Sequence, residues 1–62
     1  EKWQERVIQE KKELDIKIES LKMFLYSDKI HNVDSEEVGR LTAQYYIMKN
    51  YSDILDNRIK HF

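Results

Sequence analysis

The 62-residue sequence predicts an all-α fold: a two-helix αα-hairpin that assembles into a helical homo-oligomer. Three observations carry this expectation. The stretches 3–26 and 35–60 each place apolar residues three and four apart, the mark of one face of a helix. Between them lies SDKIHNV, Ser27 to Val33, whose Ser, Asp and Asn compete with helical backbone and favour a turn. Finally, a domain of this size buries only about 60% of its unfolded surface, too little to cover two long apolar stripes by itself.

The first helix is expected over about 2–26. It holds no Gly or Pro, and most of its residues are good helix formers. Val7, Leu14 and Leu21 recur every seven residues, with Ile18 and Leu25 four after the last two. This is a heptad seam in which Lys11 is the one polar interruption, and Trp3, four before Val7, extends it. Ile8, Ile16, Met23 and Phe24 flank the seam, as expected for a helix with more than one neighbour. Glu13 with Lys17 and Arg6 with Glu10 stand at ion-pair spacing, while Lys11, Lys12 and Lys22 read as solvated surface.

The turn is expected over about 27–34. Asp34 is an N-cap residue, and Glu37 three positions later completes a capping box, with Val33 and Val38 placed for a hydrophobic staple. The second helix follows over about 35–60. Val38, Leu41, Tyr45, Met48, Ser52, Leu55, Ile59 and Phe62 keep seam spacing, and Ser52 is the only non-apolar member. Ile47, Tyr51 and Ile54 form a second stripe beside it. Gly39, the only glycine, costs about 1 kcal/mol against Ala inside a helix, which points to a close backbone approach there. Lys60 and His61 complement the helix dipole. No repeat or boundary divides the chain, so 1–62 reads as one helical-hairpin domain.

Composition narrows the function. Eleven basic and twelve acidic residues give a net charge of -1, which creates no global field for DNA, RNA or an anionic membrane. No apolar run approaches a membrane span, and no signal-peptide pattern is present. Without cysteine there are no disulfides or thiolate metal sites, and His31 and His61 alone make no metal set. Oligomerisation is the remaining way to secure so small a domain. No Ser/His/Asp or Cys/His set, HExxH motif or Gly-rich phosphate loop occurs, so an enzyme, a cofactor and a metal are not expected.

Three residues stand out as ligand-binding candidates. Trp3 either closes the open end of the hairpin against Ile59 or Phe62, or offers a flat platform for a base. Lys17 projects from nearly the same side and can neutralise phosphate. Fourteen residues of helix span about 21 Å, so one small ligand reaches both only through a bent helix or a site shared between protomers. Arg58 is either a helix-terminal cation or, at a symmetry axis, part of a convergent anion site.

The run RVIxEKxELDxKIxxLxxFL, Arg6 to Leu25, resembles the small phage proteins that act as anti-CBASS sponges for cyclic oligonucleotides. QYYIMKNYSDILDNRI, Gln44 to Ile59, resembles the second helix of that family. The resemblance implies a helical homo-oligomer, typically a hexamer, in the cytoplasm of the infected bacterial host. It implies cyclic dinucleotides such as cyclic GMP–AMP held between protomers, with cyclic trinucleotides at separate sites in some members, sequestered without cleavage. The family's base-stacking aromatic matches Trp3, its phosphate-binding lysine Lys17, and its trinucleotide-site arginine Arg58. The competing reading is a coiled-coil assembly module that docks a protein partner.

Overall fold

A computed structural model describes residues 1–62. It is all helical: α1 (Lys2–Leu25) and α2 (Ser35–Lys60) pack antiparallel, joined through a short 3-10 helix, Asp28–Asn32. At the start of α1 the terminal amino group of Glu1 donates to Gln4 Oε1 at 2.7 Å. The helix ends without a glycine and without any left-handed residue. Instead the Ser27 hydroxyl donates to the Phe24 carbonyl at 2.8 Å, satisfying one of the carbonyls that a helix end leaves open.

Asp34 caps α2, but without the expected box. Its carboxylate accepts from the Glu36 amide at 3.1 Å, while Glu37 turns away to pair with Arg40 Nε at 2.7 Å. The Arg40 guanidinium one turn on carries its own charge, so this pair joins two ions where a capping box would join the carboxylate to a neutral amide. Gly39 also departs from expectation. It is exposed, and a Cβ built there would meet nothing within 4 Å, so no close approach explains it within one hairpin.

The core is small. Val7 and Leu14 of α1 and Leu55 of α2 are buried, with Ile18, Met48 and Ile59 packed against them. Leu55 is 1% exposed, the one large side chain fully removed from water. The hairpin measures 45 × 15 × 13 Å, with a radius of gyration of 14.3 Å. A compact domain of this length would have about 10.6 Å. Its accessible surface is 5055 Å², about 750 Å² more than a compact monomer of its mass exposes. Ile8, Ile16, Met23, Ile47, Tyr51 and Ile54 all lie on that surface.

Candidate functional site

The open end of the hairpin carries the aromatic pair. Trp3 meets Phe62 edge to face, with ring centroids 5.1 Å apart and planes at 75°. Such a pair is worth about 0.5–1.5 kcal/mol beyond the area it buries. Trp3 nevertheless stays 47% exposed. The ring therefore closes the end of the hairpin, as the first of its two readings has it, and leaves about half of its surface open to solvent. Beside it, Lys2, Glu5, Arg6 and Gln9 line a shallow polar groove along the first turns of α1.

Arg58 and Lys17 are both exposed, and neither makes an ion pair. Their places along the hairpin differ. The Trp3–Phe62 contact pins the end of the chain to the start of α1. Arg58, four residues before Phe62, then lies roughly 6 Å along the axis from that contact. Lys17 sits fourteen residues up the unbroken helix α1, about 21 Å from Trp3. One hairpin brings Arg58 to the Trp3 end and leaves Lys17 remote. The expected Glu13–Lys17 and Arg6–Glu10 pairs do not form: Glu13 accepts from Gln9 instead, and Lys17 and Arg6 stay unpaired.

Sequence reasoning missed two features. The first is the fate of Lys11, expected as solvated surface. It is half-buried and points across the seam, where its Nζ donates to Ser52 Oγ at 2.9 Å and to Asp15 Oδ2 at 2.9 Å. The Ser52 hydroxyl donates to Asp15 Oδ1, closing a ring of three bonds. The Ser52 hydroxyl, and then Lys11, hold the Asp15 carboxyl below its ordinary value, because both stabilise the anion. At the exposed Asp56–Lys60 pair, a 2.9 Å contact lowers the acid and raises the base.

The second is an aromatic cleft at the turn end, opposite Trp3. It encloses about 190 Å³ between Leu25, Tyr26, Val38, Thr42, Tyr45 and Tyr46. Tyr45 and Tyr46 meet edge to face at 5.3 Å, and Lys49 Nζ lies 5.5 Å over the Tyr45 ring. The adjacent tyrosines were the available signal, but periodicity assigns only Tyr45 to the seam. No cluster of His, Cys, Asp or Glu is placed to hold a metal ion, and no helix is long and apolar enough to cross a membrane.

Comparison with known proteins places this hairpin. A small phage protein, the uncharacterized 7.5 kDa protein of the denB-rIIB intergenic region of Enterobacteria phage T4, is 38% identical over 60 residues. The match spans 97% of this chain and 94% of that protein. No solved structure matches the chain. The model of the Sequestin family, whose name denotes sequestration, matches residues 1–61, which is both helices and the turn between them. The chain belongs to the Sequestin family.

Proposed function

We propose that this protein is a phage anti-CBASS sponge. It binds cyclic oligonucleotides in pockets between protomers of a homo-oligomer, a hexamer by resemblance, and sequesters them without cleaving them. The observation that carries the reading is the half-exposed Trp3, with the unpaired cations Arg58 and Lys17, on a hairpin with surplus surface. In this reading bases stack on Trp3. Lys17 of a neighbouring copy supplies a charge for phosphate, because the lysine of the same copy is too far away. Arg58 marks a second anion site where copies converge. The family's name supports sequestration and the relative supports a phage protein, and the protein would act in the cytoplasm of the infected host.

Calorimetry of the assembled protein with a panel of cyclic di- and trinucleotides tests the proposal. Binding at micromolar levels or tighter is expected, with at least tenfold loss in Trp3→Ala and in Lys17→Ala. Ligand recovered intact after heating the complex would support storage without hydrolysis. No binding by any member of the panel sinks the function. Unchanged binding in both variants sinks the site assignment alone.

The exposed stripe Ile47, Tyr51 and Ile54 favours a second reading, a module that docks a protein partner. It predicts a specific partner in pull-downs and no rise in melting temperature with nucleotides.

A further inference from the structure

α2 offers α1 two apolar stripes, and α1 packs against only one of them. The seam runs through Met48, Ser52, Leu55 and Ile59; the side stripe runs through Ile47, Tyr51 and Ile54. Turning α2 by about 100°, one residue of helix, exchanges one stripe for the other. The seams also repeat every seven residues, so sliding α2 by one heptad, about 10.5 Å, restores apolar contact at most layers. Apolar periodicity therefore discriminates poorly among these arrangements.

We infer that Lys11, Asp15 and Ser52 form a polar lock that selects which face of α2 meets α1, and at what stagger. Lys11 is the only polar interruption between Val7 and Leu25 on the α1 seam, and Ser52 is the only one on the α2 seam. In the folded chain these two residues meet. Ser52 is 7% exposed yet fully satisfied, and no buried polar side-chain atom lacks a partner. Sliding by a heptad would set Lys11 against Tyr45 or Ile59, and Ser52 against Gln4 or Ile18. Rotating to the side stripe would set Lys11 between Tyr51 and Ile54. Each alternative takes from Lys11 the hydroxyl it now holds, leaving it only Asp15 on its own helix, and takes from the buried Ser52 both the ammonium and the carboxylate that satisfy it. A polar group at one seam position specifies register in this way because a wrong register costs it its cross-helix partners. The lock operates with or without a ligand.

The absence of cysteine makes the test direct. Spin labels at Lys12→Cys and Asp53→Cys, both exposed positions, report one intrachain distance when labelled chains are diluted with unlabelled ones. The parent should give a single narrow distance. Lys11→Leu/Ser52→Leu should stay helical but add a second population displaced by roughly 5–10 Å, the scale of a one-heptad slide or of a rotation of the helix. Lys11→Met/Ser52→Ala should do the same with smaller changes in volume. The exchanged pair Lys11→Ser/Ser52→Lys, which keeps one ammonium and one hydroxyl in the seam, should restore a single distance. An unchanged single distance in both apolar variants overturns the lock, as does a split distance in the exchanged pair. Loss of helicity in both apolar variants also overturns it, since the lock selects register while the helices themselves rest on propensity and apolar burial.

Discussion

Replacing Ile47 and Ile54 together by glutamine distinguishes a lone hairpin from an assembling one. The two side chains are 67% and 60% exposed on α2. If the hairpin stands alone, substitutions at such positions fall within about 0.5 kcal/mol of neutral, and glutamine is a good helix former. If copies cover the stripe, each isoleucine contributes more. Full burial of such a side chain is worth about 1.5–3 kcal/mol, so covering its exposed part is worth roughly 1–2 kcal/mol. A two-fold contact uses the same patch on both copies, so four side chains change together. The loss is then about 4–8 kcal/mol per contact, or a factor of about a thousand or more in dissociation constant. Sedimentation equilibrium across the micromolar range reads this directly. The parent should sediment well above its 7.6 kDa chain mass, and the variant should shift toward that mass with its helicity intact. The parent's melting temperature should also rise with protein concentration, because only the folded state associates. A parent that sediments as a single chain at every concentration would refute the reasoning, and so would identical mass distributions for the two proteins.

Gly39→Ala should raise stability by about 1 kcal/mol, or about 4–8 °C in melting temperature, because nothing stands where the new methyl group would sit; a lower melting temperature would place a neighbouring copy there. Asp15 has its folded pKa held below the ordinary 3.8, so its contribution is present above that value and is lost as pH falls through the folded one. Urea midpoints should therefore fall more steeply for the parent than for Asp15→Asn below about pH 4, and parallel profiles would remove Asp15 from the account.

The candidate site was legible only in part. Trp3, Lys17 and Arg58 could be picked out as a lone aromatic and cations at telling positions, and the 21 Å between Trp3 and Lys17 follows from helical rise alone. That Arg58 shares an end with Trp3 follows from the antiparallel hairpin, which already set Trp3 against Ile59 or Phe62; which of these two Trp3 meets depends on how far α2 returns along α1. The tyrosine cleft was hidden because it depends on tertiary closure: Tyr26 follows the last residue of α1 and Tyr46 lies on α2, and only closure of the turn brings them together.

The sequence by itself determined the helices, the faces they bury and the cap at Asp34. These depend on propensity and on 3.6-residue periodicity, which are local properties of the chain. Tertiary structure decided the pairings. It turned Lys11, which a single helix could only present as a solvated cation, into the partner of Ser52 and Asp15. It set Phe62 against Trp3, and it left Glu37 to Arg40 rather than to a capping box. A heptad pattern says which side of a helix seeks a neighbour, but repeats identically every seven residues. The stagger must therefore come from the few residues that break the repeat, and their meaning emerges only when the two helices lie side by side.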